Sequence, residues 1–378
     1  MIAPLGPDFS AALGSNNSDI GLVLASYTLA AAISSLLSAY FLDRFERRIV
    51  IAVALTGLSL STLACTLSTS LEQMVMIRAV AGLFGGPAAS VAVAMIIDVV
   101  PNERRGRAMG MVMGAFSISS VLGIPIGLEL SRLWGWQTPF LVIGIISLLV
   151  ILLLYYCVPA MRMHLETQSK HKKMDFISLF KRKEALVTYG MTLFGMFAAF
   201  LVIPNIAIFV QYNLHYPRDE FGFLYLVGGA LSFFVMRLTG KWIDQWGAIL
   251  LSVVSTLMIV TIMYWGFATK EVMLPVVLIF IVFMAAMSMR NVISTSISSM
   301  IPEHHERAGF TSVNHSVSHL AATLGATVSA VLLSTDAIGN LIGMSELVYI
   351  SILFALPMPL FVLYLSRYIQ NKEKVTIS

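Results

Sequence analysis

Charged side chains are scarce. Asp, Glu, Lys and Arg together make 12% of the 378 residues, against about 25% in a soluble globular chain. With 58% hydrophobic residues, the polar ones cannot cover a water-facing surface, which excludes a soluble enzyme and a disordered chain. Cysteine is almost absent. Cys65 and Cys157 are too few for a disulfide framework or a thiolate metal site. A net charge of +4 leaves no basic footprint for nucleic acid. The sequence carries no metal-ligand cluster, phosphate loop or nucleophile constellation, and His304-His305 is a loop pair without further ligands. No catalytic residue, metal or cofactor is expected. What remains is an all-α polytopic membrane protein.

A bilayer core takes about 20 apolar residues per helix. Eleven such runs fall at 20–41, 49–68, 74–100, 108–130, 140–158, 185–212, 222–242, 248–267, 272–300, 309–333 and 347–368. Cytoplasmic connections hold excess Lys and Arg. One set of connections carries Arg44, Arg47, Arg48, Arg104, Arg105, Arg107, Lys241 and Arg307. The polar linker 159–184 adds Arg162, Lys170, Lys172, Lys173, Lys181, Arg182 and Lys183, and the C-terminal segment adds Arg367, Lys372 and Lys374. The opposite set holds Arg132, Arg218 and Lys270. The first set, the linker and the C-terminus are therefore expected to be cytoplasmic.

An internal repeat organises the chain. Asp43 and Asp244 follow corresponding spans, and Pro101 and Pro302 open corresponding loops; both pairs are 201 residues apart. Duplicated halves are common in secondary transporters. The offset aligns Met1 with Val202, well inside the span that begins near Ala185. Residues 1–9 thus read as the outer end of a first helix whose start, about 20 residues, is missing; a true eleven-helix chain is the other reading. The expected architecture is two pseudo-symmetric six-helix bundles with eleven complete helices and a remnant of helix one. Their bounds are 1–158 and 185–378, with the linker 159–184 between them.

Residues 39–48 read Ala-Tyr-Phe-Leu-Asp-Arg-Phe-Glu-Arg-Arg, and residues 240–247 read Gly-Lys-Trp-Ile-Asp-Gln-Trp-Gly. Here the chain resembles the Major Facilitator Superfamily, over essentially its whole length. The family's signature GxLaDrxGrr keeps Asp43, Arg44, Arg47 and Arg48 in the first copy, with Ala39 and Glu46 in place of its glycines. The second copy keeps Gly240, Asp244 and Gly247 and lacks the basic pair. The resemblance implies a conformational latch: Asp43 against the helix that begins near Gly309, Asp244 against the one that begins near Gly106. A helix N-terminus favours such a carboxylate. Solvated loop charges are the alternative. The family's RxxxG pattern is met by Arg78 and Gly82. The resemblance assigns this arginine to proton relay or substrate contact, and snorkelling to the interface is the other reading. Gly114, Gly123, Pro125 and Gly127 approximate the exporter pattern gxxxGPxxGG with Ile124 inserted, and residues 135–140, Gly-Trp-Gln-Thr-Pro-Phe, are similar to the GWR..F of bacterial drug and sugar efflux carriers. Small residues four apart also serve generic helix packing.

Few charges remain inside the spans. Arg290 lies about 18 Å from the cytoplasmic end at 1.5 Å per residue, and His315 and His319, four apart on one helix face, lie at similar depth. Asn291 and Asn314 accompany them. This set reads as a polar cavity wall that binds substrate or a proton, or as polar groups bonded between helices. Phe194, Phe197, Phe200 and Phe209 are candidates for an amphipathic pocket or for packing. The expected function is proton-coupled efflux of drug-like or small metabolite solutes by alternating access, from the 12-helix drug:proton antiporter branch. The alternative is import of a small nutrient or organic anion on the same fold. The partners expected are a small-molecule substrate, protons and the lipid bilayer, with no nucleic acid. The chain is expected to act as a monomer in the bacterial inner membrane.

Overall fold

The computed structural model describes residues 2–41, 45–100, 118–160, 182–269, 274–302 and 307–377. The apolar runs form long helices because a bilayer leaves backbone polar groups no partner outside the segment itself. They are α1 (Gly6–Leu13), α2 (Ile20–Phe41), α3 (Arg47–Ala64), α4 (Leu71–Val99), α5 (Ile124–Trp134) and α6 (Thr138–Cys157). After the linker come α7 (Lys183–Val202), α8 (Phe221–Trp246), α9 (Ala248–Met263), α10 (Val276–Met300), α11 (Arg307–Leu332), α12 (Met344–Ala355) and α13 (Met358–Ile377). Among the described residues, nine helical segments are long and apolar enough to cross a membrane.

Local chemistry sets the boundaries. Ser70 caps α4 by accepting from the Gln73 N–H, and Gln73 Oε1 accepts from the Thr69 N–H at 2.9 Å, a reciprocal cap. Pro204 divides the 185–212 run, where α7 gives way to a tighter turn at Ile203–Asn205 and then to a wide turn at Phe209–Asn213. The 347–368 run, expected as one helix, is broken between α12 and α13. Pro357 has no N–H to continue the ladder. A second departure from the helical reading is a two-stranded hairpin, Ser334–Thr335 with Leu341–Ile342, in the connection after α11.

The duplication is visible in the elements. The starts of α2 and α8, the starts of α3 and α9, and the ends of α4 and α10 are each 201 residues apart. The halves meet where α2 packs along α11 and α5 along α8, and these two seams are themselves related by the offset. A Cβ on Gly21 would stand 2.4 Å from the Ala326 carbonyl oxygen; its counterpart Gly222 faces the carbonyl of Pro125, the counterpart of Ala326, at 3.8 Å. Further along the first seam Thr28 and Thr323 share a buried hydrogen bond of 2.8 Å. These close approaches all lie toward the end opposite the basic connections, called here the far end. α7 is largely buried at the centre, whereas α6 turns Leu141, Ile145, Ile146, Leu149, Leu152 and Leu153 outward, a surface suited to lipid.

Candidate functional site

On α10 the side chains of Asn291, Thr295 and Ser299 are exposed and Ser288 is half-buried, one polar stripe at helical spacing. On α11 His315 is exposed, and Thr311, Ser318 and His319 are half-buried. Polar groups at mid-bilayer depth are costly against hydrocarbon and belong against a water-filled space. The opposite face of α11 is apolar: Phe310 and Val313 sit in a core with Tyr189 and Met191 of α7. Asn314 Oδ1 accepts a 2.8 Å hydrogen bond from Thr192 of α7. Asn314 thus ties two helices, while His315 faces open space.

Arg290 does not share that stripe. It is 5% exposed, on the buried face of α10 that carries Phe283, Ala286, Ile293 and Ile297, and its Nη1 has no hydrogen-bond partner among the described residues. α10 packs chiefly on α8 and α9, and α11 on α2 and α7. The equal depth read from the sequence therefore does not make Arg290 and the histidines one cluster.

Arg78 is half-buried on α4 with its guanidinium 4.5 Å from the centre of the Tyr27 ring, a cation–π contact, and its Nε without a hydrogen-bond partner among the described residues. Glycines of the same motif make room for this arrangement: a Cβ on Gly82 would stand 2.2 Å from the Tyr27 carbonyl oxygen, and one on Gly85 would strike the Tyr27 hydroxyl. Ser34 Oγ donates to the Gly82 carbonyl at 3.2 Å.

Of the latch residues, Asp43 and Arg44 lie outside the described residues. Arg47 opens α3, half-buried. Arg48 stacks on the Tyr155 ring at 4.3 Å and donates to the Tyr155 carbonyl, an engagement within its own half. Asp244 is exposed, with no ion pair or hydrogen bond among the described residues. Among the described residues nothing stands within 4 Å of a Cβ on Gly240, and Gly247 ends α8 at φ +81°, a conformation that favours glycine. Of the exporter pattern, Gly114 lies outside the described residues. Gly123 ends the wide helical turn Ser119–Gly123, Pro125 follows in the first turn of α5, and Gly127 is buried.

The phenylalanines pack. Phe194 and Phe197 pack tilted against Phe354 with ring centres 5.1 and 4.6 Å away, and Phe209 meets Phe267 edge-on at 5.6 Å. Residues that the sequence reading gave no role between the halves stand at the far-end seam: Asp8, Asn17, Ser18 and Asp219 join the two halves there, together with Arg218, read from the sequence only as an orientation charge. Asn17 and Arg218 are 201 residues apart, and that spacing was the available signal.

The sequence profile of the Major Facilitator Superfamily matches residues 1–326. Two proteins, from Salmonella paratyphi A and Salmonella typhimurium, both described as purine ribonucleoside efflux pump NepI, are 26% identical over 335 residues, 87% of this chain and 80% of theirs. A D-xylose-proton symporter structure superposes with a TM-score of 0.73 at 19% identity, over 96% of this chain and 91% of that one. A mutant of the nucleoside transporter NupG superposes with a TM-score of 0.73 at 14% identity, over 96% and 94%. These two likenesses speak for the fold alone. The chain belongs to the Major Facilitator Superfamily, as a multi-pass secondary transporter and not an enzyme.

Proposed function

We propose that this transporter exports a small neutral solute of the purine nucleoside kind from the cytoplasm in exchange for protons. The observation that carries export is the 26% identity, along 87% of the chain, with proteins described as purine ribonucleoside efflux pumps. The polar stripe of Ser288, Asn291 and Thr295 supports a solute with hydroxyl and amide groups, since such side chains donate and accept without charge. The excess of Lys and Arg supports a cytoplasmic linker and C-terminus in a bacterial inner membrane. The halves 1–158 and 185–378 rock about the central space, with Asp43 and Asp244 as latches on the cytoplasmic side. The exposed Asp244 fits a state in which that side is unlatched. The chain works as a monomer.

Proton coupling rests on His315, exposed at mid-helix, and on His319 one turn further along. In proteoliposomes with an imposed pH gradient, a purine ribonucleoside is expected to move against its own gradient. The paired variant His315→Gln/His319→Gln is expected to flatten the pH dependence of that flux. An unaltered pH profile in the paired variant rejects the histidine assignment. Absence of proton-driven flux in the parent protein rejects the coupling. A second reading, uptake of an organic anion, is favoured by one observation: the buried Arg290 with an unpartnered Nη1. It predicts competition by carboxylates in the same assay.

A further inference from the structure

The far end holds contacts that the transport reading leaves unused. Asn17 and Ser18 stand in the turn that leads into α2; Arg218 and Asp219 stand in the turn that leads into α8, each 201 residues on. All four reach across the seam. Asn17 Nδ2 donates to the Gly339 carbonyl at 3.0 Å, and the Ser18 N–H donates to Thr335 Oγ1 at 3.2 Å. Arg218 Nε donates to Asp8 Oδ1 at 2.8 Å, Nη2 donates to the other carboxylate oxygen, and Asp219 stands 3.9 Å from Arg132. Equivalent positions in the two halves thus grip the opposite half.

Each gripped group is tied to its own half. Ser131 of α5 donates to Asp8 Oδ2 at 2.6 Å. On the other side Asn213 clamps the hairpin, accepting from the Leu341 N–H at 2.9 Å and donating to the Leu341 carbonyl at 3.0 Å. Asp336 closes the hairpin turn by accepting from the N–H groups of Ile338 and Asn340 and from the Asn340 side chain. Burial works against the Asp336 charge, but these hydrogen bonds outweigh it and hold the carboxyl below the usual aspartate range. A pull on either grip therefore loads a whole half rather than a loose loop.

We infer that Asn17–Ser18 and Arg218–Asp8 form a two-armed clasp, in the register of the internal duplication, that holds the far end shut and must open on both arms in every transport cycle. The arms are unequal. Arg218 and Asp8 make a two-pronged, charge-assisted contact with their side chains 22% and 18% exposed, and such bonds are roughly twice as strong as neutral ones. The Asn17 arm is neutral. The Asp219–Arg132 pair adds little, because Asp219 is 83% exposed. The clasp depends on the fold and on the movement of two halves, not on the solute, the proton or the direction of transport.

The test measures the clasp without transport. Spin labels at Ala12 and Ile338, exposed positions on opposite halves, are introduced on a Cys157→Ser background, with Cys65 left buried. Distances are read in liposomes with no solute and no gradient. Asp8→Asn is expected to add a longer-distance population, shifting the open-to-closed ratio on the order of tenfold, and Asn17→Ala is expected to shift it less. Should Asp8→Asn fail to fold, Arg218→Gln, which leaves the carboxylate with Ser131, reads the same arm. Distance distributions that coincide with the parent in Arg218→Gln and Asn17→Ala overturn the clasp. A larger shift from Asn17→Ala than from the ionic arm overturns the ranking. Neither result bears on which solute moves.

Discussion

A buried cation without a full set of partners is a debt that the rest of the fold must carry. An unsatisfied buried donor costs about 1–3 kcal/mol, and more when it is charged. Arg290, 5% exposed with Nη1 unpartnered, is such a group, and replacing a buried charge by an apolar side chain of similar volume is often neutral or stabilising. Arg290→Met is therefore expected to leave the thermal midpoint in detergent unchanged or raised, and under the organic-anion reading to cut transport by about tenfold or more. Retained transport in a stabilised variant means that the charge serves neither substrate nor proton. The depth of this residue was legible in the sequence, because helical rise converts spacing into distance. Its direction was not. Arg290 and Asn291 are neighbours in sequence, yet one is buried and the other exposed, and α10 and α11 pack on different helices. Facing depends on which neighbour a helix meets, and single-chain periodicity is weak where both lipid and core are apolar. Arg78 was legible as a motif, but its partner Tyr27 belongs to a helix that no local pattern names.

Between α2 and α4 the spacing of backbones is set by glycine. A Cβ at position 82 would stand 2.2 Å from the Tyr27 carbonyl oxygen and 2.9 Å from the Ala30 Cβ. The first is backbone and cannot yield without moving α2. Gly82→Ala is expected to destabilise by about 1–3 kcal/mol, the usual range for overpacking, and to loosen the Arg78–Tyr27 contact with it. Gly240, in the second copy of the loop signature, provides the contrast. It meets nothing within 4 Å among the described residues, so Gly240→Ala is expected to stabilise α8 by about 0.5–1 kcal/mol through helix propensity alone. Thermal unfolding of the two variants in detergent separates a packing glycine from one whose value lies in the other conformational state. At this scale the sequence was a good guide: the run 20–41 coincides with α2, and most other spans fall within a few residues of their helices. The exceptions have local causes that hydropathy does not weigh. Pro357 splits the last run, Pro204 interrupts the sixth, and Asp336 with Gly339 at φ +93° turns a short loop into a hairpin.

The molecule as a whole is a balance between two closures. The described hydrogen bonds, ion pairs and glycine approaches across the seam lie toward the far end, where Gly21 meets Ala326, Thr28 meets Thr323 and Arg218 meets Asp8, whereas Asp244 at the basic end is exposed. In the proposed cycle the Asp43 latch holds the opposite state, so the clasp and the latch act on one equilibrium with opposite signs. A contact present in one state only shifts the populations by its own free energy. Asp43→Asn is then expected to lengthen the time spent closed at the far end, and Asp8→Asn to shorten it. Each single variant slows turnover, because a two-state cycle is fastest when neither state is a trap. The double variant removes one contact from each side. Contacts that share no partner add nearly independently, so its population ratio is expected to return toward that of the parent, and part of its transport rate with it. Distances between labels at Ala12 and Ile338 and flux in the same liposomes give both readouts. A double variant whose ratio stays at that of Asp8→Asn would show that Asp43 carries no latch. A restored ratio with no recovery of flux would show that Asp43 or Asp8 serves the solute path rather than the balance of states.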